Sequence, residues 1–220
     1  MGTLSELPNL FVVCCNSQEN VDADFMWTFL RNVFLWKGGI FVYRADHPWD
    51  VVRNNRAIKT FLDSGYDILV KCDIDQAYPA NYFEEMAPLV EIYKVIGPVI
   101  YDRQEHNNYA ALVREKPDGL WIDISKESGI HQFPYTHTNN FYAREVFESF
   151  GPPWYEAHMS SDGLRRENHV DGDVQDKLRA AGYPVYTNCD VAVEHIVKVR
   201  VNKEFQRKMG EDYAGHKTFL

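Results

Sequence analysis

This sequence predicts an α/β fold: a mostly parallel central sheet flanked by helices, with a small β-hairpin. Two patterns carry that expectation. Short apolar runs of strand length alternate with segments whose apolar residues recur at helical spacing. Through the first hundred residues the order is β-α-β-α-β-α-β, as a parallel, doubly wound sheet requires. Size agrees, since 220 residues without repeat, linker or low-complexity segment make one domain with a well-buried core.

Leu10 to Cys15 is a continuous apolar run, a strand buried on both faces, ending at polar Asn16, Ser17 and Gln18. Phe25, Trp27, Phe29, Leu30, Val33 and Phe34 then give a helical apolar face, opened by Asp22 and Asp24 where the helix dipole favours acids. Gly39 to Tyr43 is a second strand. Asp46-His47-Pro48 opens a helix whose face is Val51, Val52, Ala57, Ile58, Phe61 and Leu62, closed by Gly65. Ile68 to Val70 begins the third strand, and 82–93 is a helix after Pro79. Val95 to Tyr101 is the fourth strand, with a bend expected at Gly97-Pro98.

The second half changes character. Segments 110–114 and 120–124 flank Pro117-Asp118-Gly119, a turn signal that predicts a β-hairpin. A strand is expected within 133–142 and a short helix over 144–150, stopped by Pro152-Pro153. Residues 156–168 have no apolar period and read as a mobile loop over the site. Val174, Leu178 and Ala181 predict a helix closed by Gly182, followed by strands at 185–187 and 191–196. The tail, 202–220, is charged and polar.

Composition bounds function. Charged residues are 25% and the net charge is −9, which argues against a broad phosphate-binding surface. No apolar run approaches the ~18 residues of a membrane span, and the first residues lack a secretory pattern. Cys14, Cys15, Cys72 and Cys189 lack zinc-ligand spacing and read as small core residues, the last in a turn. A reducing, cytoplasmic setting is the expectation.

The chemistry concentrates in 66–79. There a buried strand ends in two carboxylates, Asp73 and Asp75, placed where open α/β sheets bind ligands. Acids so close repel and are desolvated unless a cation joins them. Mg²⁺ or Mn²⁺, with oxygen ligands, answers that and can grip a diphosphate. An isolated Asp-x-Asp pair also occurs on solvated turns. Asp171 and Asp173, at a helix start, serve either as caps or as a general base for an acceptor hydroxyl. His195, in an alternating strand, is either an ordinary hydrogen-bonded histidine or a third ligand to the cation held by Asp75.

Gly65 to Pro79, with its Asp73-Ile74-Asp75, resembles the nucleotide-sugar-binding segment of family 2-like glycosyltransferases of the GT-A fold. Three further segments follow the family's order: Asp50 to Arg56, Thr138 to Trp154, and Asp171 to Tyr183. The likeness runs from about 10 to 195, with a nucleotide-sugar half (10–101), an acceptor half (102–200) and a tail (201–220). It implies Asp73, Asp75 and His195 at the metal. It further implies Asn16, Arg53, Asp73 and Ile74 at the nucleotide sugar, and Asp171 or Asp173 as base. His137, Thr138, Asn139 and Trp154 would then meet the acceptor. Val170 stands where the family has a glutamate. The Gln-x-x-Arg-Trp motif of processive synthases is absent.

The implied activity is metal-dependent transfer of one sugar from a nucleoside-diphosphate sugar, such as a UDP-sugar, to a hydroxyl acceptor. Compact transferases of this kind resemble those of bacteriophages and bacteria, whose acceptors include glycans, proteins and hydroxymethylated pyrimidines in DNA. Two alternatives stand beside it. A nucleotidyltransferase would carry a glycine-rich basic loop where this chain has 16–20, without glycine or lysine. A non-catalytic nucleotide-sugar-binding module would have a decayed site.

Overall fold

The structure is a computed structural model and describes residues 7–15, 21–101, 112–113, 122–137, 139–164, 166–167 and 170–196. The chain starts with β1 (Leu10–Cys15), α1 (Ala23–Leu35), β2 (Ile40–Ala45), α2 (Asp50–Leu62), β3 (Ile68–Asp73) and the short β4 (Gln76–Ala77). Then come α3 (Tyr82–Met86), a 3₁₀ turn (Ala87–Leu89), α4 (Val90–Tyr93) and β5 (Val95–Ile100). The helix expected over 82–93 is thus broken. Pro88, near the start of the 3₁₀ turn, has no N–H to donate to the helical ladder.

The second half holds β6 (Leu112–Val113), β7 (Ile122–Asp123), β8 (Ile130–Gln132), β9 (Phe141–Ala143), α5 (Arg144–Glu148), α6 (Val170–Ala180) and β10 (Tyr186–His195). β6 and β7 pair antiparallel, as the hairpin expectation requires; its turn lies outside the described residues. The tail, Asn16, Thr138, Arg165 and His169 lie outside them too.

Among the described residues the main sheet runs β2-β1-β3-β9-β5-β10-β4, with β8 also on β10. β2, β1 and β3 are mutually parallel, and β5 runs parallel to β10. β9 lies antiparallel between β3 and β5, so the five longer strands share one direction. This mixed sheet, mostly parallel and flanked by helices, agrees with the predicted class. The insertion of β9 differs from a plain doubly wound order. Gly97 permits it, since a Cβ there would stand 1.9 Å from Asn140 Oδ1; the pairing of β5 with β10 is irregular at the neighbouring Pro98 and Val99.

Two apolar layers cover the sheet. Leu10, Val12, Val70 and Cys72 face α1, α3 and α4; Phe11, Val13, Leu69 and Tyr142 face α2, α5 and α6. On α1 the buried residues are Phe25, Phe29 and Asn32, while Trp27 and Phe34 are each 77% exposed. The expected face was too wide at Trp27 and Phe34, whereas Val33, partly buried, packs against the same layer as the i, i+4, i+7 row. Asn32 belongs inside because its amide receives the Tyr82 N–H and donates to the Pro79 carbonyl.

The two last strands expected by sequence are one, β10, with a register shift between Asn188 and Ala192. Cys189 sits in that irregularity, not in a turn. α6 ends as expected: Gly182 takes φ +86°, and the Gly182 and Tyr183 N–H groups donate to the Arg179 and Leu178 carbonyls.

Candidate functional site

Parallel pairing aligns Cys15 with Asp73 at the carboxyl ends of β1 and β3. Alternation along β3 sends Leu69, Lys71 and Asp73 to the α2–α6 side, and Lys71 shares a wall there with Val13, Asn54, Tyr142 and Tyr155. Burial pushes the Cys15 thiol up to about 11, and the charges acting on it are Lys71, Asp73, Arg53 and Asp171. Charged groups from β3, α2 and α6 therefore converge at one strand end.

Asp73 is partly buried. Desolvation raises its carboxyl pKa, Lys71 opposes that rise, Asp75 and Asp171 reinforce it, and a hydrogen bond from Asn139 lowers it. Lys71 has a side chain only 10% exposed, with Nζ 3.7 Å from Asp171 Oδ1. Burial alone would lower its pKa, but Asp171 and Asp73 outweigh it and hold the ammonium charged. The Asp171 side chain is 50% exposed at the mouth.

On the other side of the Asp73–Asp75 turn, β4 pairs antiparallel with β10 and sets His195 opposite Gln76. The Ile196 N–H donates to the Asp75 carbonyl at 2.8 Å, stitching the turn to the end of β10. Gln76 is buried; its Oε1 accepts from Asn139 Nδ2 at 2.5 Å and from the Tyr78 hydroxyl at 3.2 Å. Its Nε2 lies 3.3 Å from His195 Nε2. The other imidazole nitrogen, Nδ1, meets the Tyr101 carbonyl. These partners select the tautomer: Nδ1–H donates to Tyr101, and Nε2 is an acceptor.

His137 is half-buried, its ring centroid 6.3 Å from that of His195. Asn139 Oδ1 is buried with no hydrogen-bond partner among the described residues.

Other expected residues are placed differently. Ile74 is buried in the core layer with Cys72 and Tyr78, so only its backbone can face a ligand. Trp154 is buried among Tyr142, Phe147 and Val174, and its indole N–H donates to the Phe147 and Phe150 carbonyls. It packs the core instead of facing the crevice. Arg53, in the first turn of α2, has a buried Nε without a partner among the described residues.

Asp173 is 11% exposed, and its carboxylate accepts from the Glu156 N–H at 3.0 Å and contacts Lys177 Nζ at 3.0 Å. His158 Nε2 is 3.3 Å away. The segment expected to be a mobile loop is therefore tied down at one end by Asp173. At the other, Arg166 meets Asp50 of α2 at 2.9 Å, and the Glu167 N–H donates to the His158 carbonyl.

Among the described residues, Glu156, His158 and Asp173 are the metal-capable trio with ligand atoms within 4.8 Å of one another. Lys177 Nζ already stands 3.2 Å from Glu156 and 3.0 Å from Asp173, supplying a cation there. Asp73, Asp75 and His195 do not converge that closely. Lys71 and Gln76 were missed by sequence reasoning. A lysine inside a buried apolar strand is the signal that could have found the first; Gln76 left none, because its partners are 63 and 119 residues away.

No helix among the described residues is long and apolar enough to cross a membrane. No protein-family model matches the sequence, and no curated protein matches it. Solved structures do resemble it. A197 from STIV superposes with a TM-score of 0.60 at 16% identity, covering 86% of each chain. GalNAc-T7, solved with UDP, GalNAc and Mn²⁺, gives 0.56 at 13% identity over 88% of this chain. The match spans only 44% of that longer chain. Likeness at such identity is likeness of fold. With its open, mostly parallel sheet and helices on both faces, this chain has a GT-A-like fold.

Proposed function

We propose that this protein is a metal-dependent glycosyltransferase, moving one sugar from a nucleoside-diphosphate sugar to a hydroxyl acceptor. The observation that carries this reading is the convergence of Asp73, Lys71, Arg53 and Asp171 at the carboxyl end of β1 and β3, in a GT-A-like fold. Carboxylates and a guanidinium at that edge suit a ligand that brings both a cation and a phosphate.

By ligand type the donor set suits Mn²⁺ or Mg²⁺, and Asp73, Asp75 and His195 would have to draw closer together around the ion. Asp73 and Asp75 offer hard oxygen ligands, and Asn139 Oδ1 is a buried acceptor still lacking a donor. His195 has Nδ1–H anchored on a backbone carbonyl, and its Nε2 would ligate the ion by giving up the Gln76 amide that it faces at 3.3 Å. Asp73, Asp75 and His195 would hold the ion, which supplies charge neutralisation to the departing nucleoside diphosphate. Arg53 Nε, a buried donor without a partner among the described residues, would donate to a phosphate or the nucleotide, a role the family resemblance also gives Asn16 and Ile74.

Asp171, half-exposed, takes the proton of the acceptor hydroxyl as its oxygen bonds to the anomeric carbon. The bond from that carbon to the phosphate oxygen breaks, and the electron pair leaves with the nucleoside diphosphate. Asp173 keeps a structural task, since three groups from its surroundings use its carboxylate. His137 and Asn139, with Thr138 between them in sequence, are the residues we assign to the acceptor. A glycan or sugar hydroxyl suits this acidic chain better than DNA, because Arg166 is engaged by Asp50. Transfer to hydroxymethylated DNA is the direct check on that choice.

The test is release of UDP from a panel of UDP-sugars with Mn²⁺ or EDTA, on wild type and Asp75→Ala. Metal-dependent release lost in the variant is expected. Release that ignores both metal and substitution would sink the reading. Mn²⁺-dependent binding without any release would favour a non-catalytic binding module.

A further inference from the structure

Lysine is an expensive residue at the centre of a buried strand. Lys71 lies between Val70 and Cys72 in β3, both fully buried, and its own side chain is 10% exposed. It lines a small, mostly apolar cavity together with Val13, Leu69, Tyr142 and Phe147. A stem held this way gives the ammonium one location. That location is 3.7 Å from Asp171 Oδ1, a carboxylate from another element, separated by 100 residues in sequence and five times as exposed. The desolvation of a buried ammonium is tolerated only where acids face it, and the acids acting on Lys71 are Asp171 and Asp73.

We propose that Lys71 is a positioning residue: its buried ammonium holds the Asp171 carboxylate in the orientation that receives the acceptor proton. This rests on the glycosyl-transfer reading above. A half-exposed aspartate in the first turn of a helix has several rotamers open to it, and a fixed cation beneath selects one. Asp173, two residues on, shows the contrast. Its carboxylate is fixed by Lys177 and by the Glu156 N–H, leaving Lys71 to act on Asp171. Asp73, a proposed metal ligand, also faces Lys71, so the role toward Asp171 is read from kcat and from the double variant.

The test is a double-mutant cycle on UDP-sugar turnover with Mn²⁺, using wild type, Lys71→Met, Asp171→Asn and the double variant, each checked for its thermal midpoint. Lys71→Met is expected to lower kcat about tenfold or more, with any change in donor KM and UDP affinity smaller and still present in the Asp171→Asn background. The double variant should be no worse than Asp171→Asn alone, because a group acting through Asp171 adds nothing once that carboxylate is gone. Losses that multiply, or a loss confined to KM, overturn the role of Lys71 and leave the transfer reading intact. A wild type inactive on every nucleotide sugar overturns both. Should Lys71→Met not fold, Lys71→Arg carries the same cycle: it keeps the charge and displaces it, so its loss in kcat should vanish in the Asp171→Asn background.

Discussion

Asp171 and Asp173 stand on the same first turn of α6, and replacing each should break something different. Asp173→Ala removes the acceptor of the Glu156 N–H, a bond to a charged group worth about 1.5–3 kcal/mol. It also removes a partly buried contact with Lys177, worth about 0.2–1 kcal/mol. Together these make about 2–4 kcal/mol. For a chain of this size, at about 2–4 °C per kcal/mol, the thermal midpoint should fall by about 4–16 °C. Asp171→Asn keeps an acceptor facing Lys71 and leaves Asp73 to offset the buried ammonium, so its cost should be below that of Asp173→Ala. Its midpoint should move by only a few degrees. Activity should reverse the ranking. Loss of a general base costs about 10²–10⁴ in kcat, whereas Asp173→Ala, assayed well below its midpoint, should retain most of its turnover. Calorimetry and UDP release on the two variants decide it. An Asp171→Asn enzyme with full turnover, beside a stable and inactive Asp173→Ala, would refute the assignment.

Three further outcomes follow from particular contacts. Gly97→Ala should destabilise by about 1–3 kcal/mol, since its methyl would overlap the buried Asn140 side chain; urea unfolding measures it. Burial pushes Cys14 up to about 12 and Cys15 up to about 11, and raises Cys72 well above the usual thiol range. At pH 8 these three stay protonated and inert, so a thiol reagent should titrate at most Cys189 in the native protein and all four cysteines in denaturant. Arg166→Ala should shift the midpoint by only about 1–3 °C, because exposed pairs contribute little. It should nevertheless speed amide exchange across 158–164, where Arg166 tethers the segment to α2.

The strands most legible in the sequence were those buried on both faces. Leu10–Cys15 and Val95–Ile100 read as continuous apolar runs because helices cover both sides of them. β9 was poorly legible for the opposite reason. It is three residues long, and its place between β3 and β5 is set by pairing partners far away in sequence and by the missing side chain of Gly97. On α1, hydrophobicity alone put Trp27 and Phe34 inside and Asn32 outside; the hydrogen bonds of Asn32 to the Tyr82 and Pro79 backbone reverse that. At the site, Asp73 and Asp75 announced themselves by position after an apolar strand. The difference between Asp171 and Asp173 could not be read, because both start one helix and only tertiary contacts separate them. Trp154 looked like a ligand platform beside prolines, and its indole N–H is used up inside the core.

On the glycosyl-transfer reading, the Asp73–Asp75 end of β3 grips a nucleoside diphosphate through a divalent cation. Isothermal titration of UDP into the protein, with Mn²⁺ and then with EDTA, tests it most directly. Binding should need Mn²⁺, weaken about tenfold or more in Asp75→Ala, and persist in Asp171→Asn. UDP affinity that is absent with Mn²⁺, or unchanged by Asp75→Ala, would contradict it.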